Sequence, residues 1–218
     1  MNWSWETAAE ILPLLAKGLR VTLIATAGGM GLALVLGLIW AMLRRSRIKA
    51  IAWPVSAIVE FIRNTPLLIQ LFFVYFLIPD YGWNTALLTG IVILGLHYST
   101  YTSEVYRSGI DGVPRGQWEA ATALNLSTSQ RWTRVVLPQA FPPILPAMGN
   151  YLIAMFKDTP LLFAITVQEM FYQADSYASF NGTYVEPYTL AAVIFLLLSL
   201  ISAGVIRLTE RVLIVRGN

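Results

Sequence analysis

Five ionisable residues lie inside long apolar runs: Glu60, Arg63, Lys157, Asp158 and Glu169. A charge at the bilayer centre costs roughly 2.5–3.5 kcal/mol on insertion scales, and such groups face a cavity or a partner. Two of them head near repeats, Arg63-Asn64-Thr65-Pro66-Leu67-Leu68 and Lys157-Asp158-Thr159-Pro160-Leu161-Leu162. Each proline removes a backbone donor and drives the preceding threonine away from helix. Freed carbonyls beside a basic side chain make a polar, broken-helix site, and paired interruptions of this kind point to a solute path. In one reading, Arg63 and Lys157 help accept a carboxylate-bearing solute, on a path bordered by Thr65, Pro66, Gln70, Asp158, Thr159 and Pro160. In the other, Arg63 pairs with Glu60 and Lys157 with Asp158 or Glu169, which braces the bundle. Gln70 and His97 read first as satisfied interior polar groups. Bond chemistry is poorly served. Cysteine is absent and His97 is the single histidine, which excludes a disulfide framework, a thiolate metal site and a cysteine nucleophile.

The elements that must position these residues are membrane helices. Of 218 residues, 56% are apolar and 12% charged, and the mean hydropathy is +0.62. A soluble domain carries about 25% charge. The net charge is +3, but the basic residues fall between apolar runs rather than in one patch, so nucleic acid is not the expected partner.

A spanning helix needs about 20 largely apolar residues. Five runs meet that need: Leu19 to Leu43; Ile51 to Pro79, interrupted near Pro66; Ala86 to Tyr106; from Phe141 to Tyr172, interrupted near Pro160; and Pro187 to Leu208. The second and fourth can each be one span or two short elements. None alternates at period two, which argues against a β-barrel. The first connection holds Arg44, Arg45, Arg47 and Lys49, the third Arg107, Arg115, Arg131 and Arg134, and the tail Arg207, Arg211 and Arg216. The connections at 80–83 and 173–186 hold no base. The basic connections are therefore expected in the cytoplasm, with the N-terminus outside and the C-terminus inside.

Residues 1–18 read as an outer interfacial segment anchored by Trp3 and Trp5, and Glu6 and Glu10 argue against a cleaved signal peptide. Residues 19–213 read as one membrane domain and 214–218 as a cytoplasmic tail. The first run has a small residue at every fourth position, Ala25, Gly29, Ala33, Gly37 and Ala41. That stripe admits close approach of another helix backbone; whether the partner lies in this chain or another stays open.

The connection over about 107–140 is long enough to need structure of its own. Pro114 can open a helix that Glu119-Ala120-Ala121 continues. Asn125 suits a left-handed C′ position. Ser127 and Gln130 fit a capping box, and Pro138 is expected to stop the second helix near Leu137. The result is a helix–turn–helix on the cytoplasmic face.

These residues carry a resemblance. Glu119-Ala120-Ala121, the turn at Asn125 and Val135-Val136-Leu137-Pro138 look like the EAA loop of ABC importer permeases, with Asn125 at the family's glycine and Val135 at its isoleucine. Phe61 through Phe72 resembles the FxRxTPLLxQLF segment of polar amino-acid permeases. Glu104-Val105-Tyr106-Arg107-Ser108-Gly109-Ile110 is similar to their E-x-x-R-x-G-I stretch. Lys157 to Leu161 is similar to their K-D/N-T-S-L, with Pro160 in the serine position. The likeness runs from about Gly18 to Leu213.

The resemblance implies an all-α integral membrane protein: five spans of the type I (MetI-like) importer fold with a cytoplasmic coupling loop. It implies contact with a cytoplasmic ATPase through Glu119, Ala120, Ala121, Asn125 and Leu126, with Leu137 and Pro138 closing the loop. It also implies a second permease chain, identical or paralogous, and an outer solute-binding protein. The chain has no G-x-x-x-x-G-K-[ST] P-loop, so ATP and Mg²⁺ belong to the ATPase and no cofactor is expected here. The implied place is the bacterial inner membrane and the implied solute a polar amino acid or related zwitterion such as ectoine. A self-sufficient transporter or channel and an intramembrane enzyme are the competing readings.

Overall fold

The computed structural model describes residues 3–77 and 85–217, with side chains described up to 211. The expected connection at 80–83 and the end of the second run lie outside the described residues. The chain forms α1 (Trp5–Arg44), α2 (Lys49–Asn64), α3 (Leu67–Leu77), α4 (Ala86–Asp111), α5 (Arg115–Ala123) and α6 (Thr128–Arg131). A π-helical turn (Trp132–Val136) leads into α7 (Leu137–Asp158), a 3₁₀ stretch (Thr159–Ile165), α8 (Met170–Asn181) and α9 (Val185–Gly217). No strand occurs among the described residues.

The centre of the fold is the α1–α4 pair, the most extensive helix contact. The small-residue stripe of α1 is its seam: Ala25, Gly29, Ala33, Gly37 and Ala41 are all buried. The partner left open by the sequence is therefore a helix of the same chain. A Cβ at Gly37 would lie 2.0 Å from the Thr102 hydroxyl and 3.0 Å from the Ser99 carbonyl. The Thr102 hydroxyl donates to the Ala33 carbonyl at 2.8 Å, across the seam. Trp40 adds an indole N–H to Ser99 at 2.9 Å.

α1 and Val185–Arg211 of α9 are long and apolar enough to cross a membrane. α2 and α3 qualify only as a pair, and that pair is bent by 101°. Of the two options for the second run, the structure has two short helices. α4 has 26 residues but a polar face of Thr89, Ser99, Thr100, Thr102 and Ser103, all buried. A helix sheathed by protein tolerates those hydroxyls where a lipid-facing helix does not.

Three expectations need correction. Residues 5–18 do not form a separate segment but continue α1 without a break, with Ile11 and Leu15 packed against Met170 and Ala174 of α8. Pro138 does not end a helix. The Leu137 N–H reaches back five residues to the Trp132 carbonyl, and this wider turn relieves the clash a proline makes with the carbonyl four residues before it. The fourth run then starts at Leu137, before its prolines, and takes Pro142, Pro143 and Pro146 into α7. It ends at Asp158, where the chain passes into the 3₁₀ stretch and then the separate helix α8.

Gly37→Ala is expected to wedge the seam, costing about 1–3 kcal/mol. Gly31→Ala, with nothing within 4 Å of its Cβ, is the matched control. Thermal unfolding of the purified assembly should drop by several degrees for the first and stay unchanged for the second.

Candidate functional site: a broken-helix polar seam and a projecting loop

The two threonine–proline repeats break their helices in the same way. The Thr65 hydroxyl donates to the Ile62 carbonyl at 3.0 Å, and the Thr159 hydroxyl to the Phe156 carbonyl at 2.7 Å. Each threonine thus caps a carbonyl three residues back in the helix it ends. Gln70 braces the first break further. Its amide donates to the Ile62 carbonyl and the Thr65 hydroxyl, both at 2.7 Å, and its carbonyl oxygen lies 3.3 Å from His97 Nδ1. The second break continues as 3₁₀ helix to Thr166, a β-branched residue at φ 66°. Tyr75 of α3 lies 3.3 Å from the Thr166 hydroxyl, so the helix after the first break packs against the 3₁₀ stretch after the second.

The charges divide by role. Arg63 donates to Glu60 at 2.8 Å and to Glu104 at 3.4 Å. Glu104 also takes Arg44 at 2.6 Å and Arg107 at 3.2 Å. It is therefore a hub joining the ends of α1, α2 and α4, with the Arg44 side chain only 8% exposed. The bracing alternative describes Arg63. It does not describe Lys157, which is exposed and pairs with no carboxylate among the described residues. Asp158 instead accepts the Tyr98 hydroxyl at 2.6 Å. Glu169 is fully buried and caps α8, accepting the N–H groups of Phe171 and Tyr172 at 2.8 and 2.6 Å.

The structure thus brings Arg63, Thr65, Pro66 and Gln70 to one break and Lys157, Asp158, Thr159 and Pro160 to the other. Sequence spacing showed the Glu60–Arg63 pair but not the Arg44–Glu104 contact, which joins positions 60 residues apart. It also gave no reason to single out Tyr98, Tyr101 and Tyr151, which cluster beside Asp158. Below them, Glu104, Val105, Ser108, Gln139, Pro143 and Ala147 help line an open cavity of about 560 Å³ between α4 and α7. The prolines of α7 leave carbonyls on that helix without their usual donors.

The loop is built as expected at its turn. Asn125 has φ 51°, the Leu126 N–H reaches the Ala121 carbonyl at 3.1 Å, and Ser127 and Gln130 form the reciprocal capping box. Trp118 packs edge-on against Trp132, centroids 5.5 Å apart. Glu119, Ala120 and Asn125 are exposed and Leu126 is half-buried, whereas Ala121 is 2% exposed. Ala121 faces inward and lets the short helices close up. Leu137 and Pro138 are exposed at the head of α7. The loop root is tied to the basic end of α1 by an Arg45–Asp111 ion pair, and a cavity there is lined by Met42, Arg45, Trp132 and Leu137. The bend therefore projects from the arginine-rich end and is not buried among the helices.

Residues 33–214 match the family described as "Binding-protein-dependent transport system inner membrane component". The chain belongs to this family. It is 42% identical to a probable amino-acid ABC transporter permease protein, y4tG, of Sinorhizobium fredii, over 99% of this chain and 97% of that one. It is 33% identical to the L-cystine transport system permease protein TcyB of Bacillus subtilis, over 95% and 92%. A crystal structure of an amino acid ABC transporter with histidines superposes with a TM-score of 0.90 at 34% identity, over 97% and 99%. A MetNI methionine ABC transporter shares the fold, at a TM-score of 0.81 and 22% identity over 94% and 98%.

The permease is thus an inner-membrane subunit of an ABC importer and not an enzyme. Such permeases work with an ATPase that carries ATP and Mg²⁺, a second permease and a solute-binding protein. The readings as a self-sufficient transporter and as an enzyme give way.

Glu104→Gln is expected to cost about 1–3 kcal/mol by leaving half-buried guanidinium groups short of an anion. Arg45→Gln, which removes an exposed pair, should cost under ~1 kcal/mol. Thermal unfolding of the purified assembly measures both.

Proposed function

We propose that this permease carries a polar amino acid or related zwitterion, with the loop at 107–140 as the contact for its ATPase. The observation that carries the loop assignment is its form: a rigid left-handed turn at Asn125, backed by Trp118 and Trp132, exposed at the arginine-rich end. Glu119, Ala120, Asn125 and Leu126 present the surface and Ala121 packs beneath it. Leu137 and Pro138 pass motion of the loop directly into α7, because the π turn makes one continuous rod of them. The basic residues at this end support a cytoplasmic position for it. The other end, where the backbone N–H of Ser4 donates to Glu186 at 2.7 Å, then faces outward, with five spans between.

The solute class rests on the permease's relatives, which include an L-cystine permease and the glutamate/aspartate import permease GltK of Escherichia coli. Their named solutes differ at comparable identity, so likeness alone does not choose among amino acids and zwitterions such as ectoine. On the path, Asp158 and the free Lys157 offer one charge of each sign, which suits a zwitterion. Arg63, with Thr65, Pro66 and Gln70, holds the first break, while Thr159 and Pro160 shape the second.

Asn125→Val forces a β-branched residue into the left-handed region, and Glu119→Lys reverses a charge on the exposed face. Both are expected to reduce ATPase co-purification and ATP-driven uptake into proteoliposomes at least tenfold, with the permease still folded. Undiminished uptake in both would overturn the coupling assignment. Lys157→Met should cut uptake with assembly intact, whereas Arg63→Gln should lower thermal stability as well.

A further inference from the structure

The cavity at the loop root is apolar with a cation at its rim. Leu38 and Met42 of α1, Ile110 of α4, and Trp132 and Leu137 where the π turn enters α7 help line its volume of about 430 Å³. Arg45 is the single charged residue among its walls. Leu38 and Met42 are exposed, and so is Val35 one turn earlier on the same face of α1. The groove therefore continues as an exposed apolar stripe on a helix long enough to cross a membrane, and the stripe ends at Arg45. Arg45 pairs with Asp111, and both are exposed. Arg47 and Lys49 follow in the same short connection, exposed and paired with no carboxylate among the described residues. Trp53, in the second turn of α2, is 81% exposed. Tryptophan beside basic residues at a helix end marks the boundary between bilayer and water.

We infer that this groove is a binding site for an anionic phospholipid, with an acyl chain against Leu38, Met42 and Ile110 and the phosphate at Arg45, Arg47 and Lys49. The inference goes beyond the transport reading and needs from it only that α1 crosses the bilayer. Walls of this kind give water few hydrogen-bond partners, whereas an acyl chain gains contact along the whole stripe. Asp111 offsets one of the three cations, which leaves Arg47 and Lys49 for an anionic headgroup. A zwitterionic lipid brings its own ammonium, which these cations repel. Free phosphate matches the rim but leaves the groove unfilled, so the lipid is the source of the anion. A second copy of this chain seated here face to face would set two such basic connections against each other. Trp132 lines the groove and also packs on Trp118 beneath the turn of the loop. A lipid chain in the groove thus braces the root of the loop.

The test titrates radiolabelled dioleoylphosphatidylglycerol and dioleoylphosphatidylcholine into the purified, delipidated permease–ATPase complex in detergent. Phosphatidylglycerol should bind saturably and at least fivefold more tightly than phosphatidylcholine. It should also raise the unfolding temperature of the complex by several degrees, as a ligand of the folded state does. Inorganic phosphate in large excess should not displace it. Neutralising the rim with Arg45→Gln, Arg47→Gln and Lys49→Gln together should weaken phosphatidylglycerol at least fivefold and leave phosphatidylcholine unchanged. Met42→Trp, which puts an indole into the groove, should weaken both lipids. Should the triple variant fail to assemble, Met42→Trp and the parent series decide the matter. Equal binding of the two lipids, displacement by phosphate, binding without a rise in unfolding temperature, or variants that bind like the parent would each overturn the site. Loss of the second permease from the Met42→Trp complex would put a protein in the groove and overturn the lipid assignment as well. ATP-driven uptake by the parent complex, measured alongside, bears on the transport reading alone, and its outcome is independent of the lipid series.

Discussion

The close approach of α1 and α4 is the constraint on which the rest depends. Lipid offers no hydrophobic drive for helix pairing, so contact area and hydrogen bonds must supply it. Glycine and alanine on α1 bring the backbones near enough for the Thr102 hydroxyl to reach the Ala33 carbonyl at 2.8 Å. α4 is thereby fixed in the middle of the fold, where its side chains reach both breaks and the basic end. Tyr98 and Tyr101 face the second break, His97 faces the first, and Glu104 and Asp111 face the basic end.

Broken helices are unfavourable in a bilayer, because each freed carbonyl lacks water. This permease meets that cost locally. Thr65 and Thr159 turn back to carbonyls of the helices they end, and Gln70 supplies a further donor. The two breaks differ nonetheless. The first bends its chain by 101°, while the second tightens into 3₁₀ helix and ends on a left-handed threonine. Near-identical hexapeptides thus have different outcomes. Their surroundings differ: Gln70 and His97 stand beside the first, and Tyr98 holds Asp158 at the second.

The charged groups form a second layer of organisation, distinct from the breaks. Glu104 gathers Arg44, Arg63 and Arg107 at the end where the loop is rooted. The hub therefore ties α1, α2 and α4 together beside the loop, and the π turn joins the loop to α7. The polar seam between α4 and α7 runs from this hub past an open cavity to the tyrosines and Asp158. The projecting loop and the second helix break thus lie toward opposite ends of the same two helices.

Much of this was legible in the residues themselves. The apolar runs, the left-handed Asn125, the Ser127–Gln130 box and the two threonine–proline breaks stem from local chemistry: propensity, capping and the missing proline N–H act within a few positions. The loop motif and its flanks also sufficed to indicate the family. Local rules failed where a neighbour distant in sequence changed the balance. Pro138 stops no helix because a π turn makes room for it. Residues 5–18 form no separate segment because α8 covers them. The partner of the α1 stripe, the Arg44–Glu104 contact and the gathering of Tyr98, Tyr101 and Tyr151 were set by the tertiary structure alone. Each joins side chains that share no local spacing, and only the packing of α1, α4 and α7 brings them within reach.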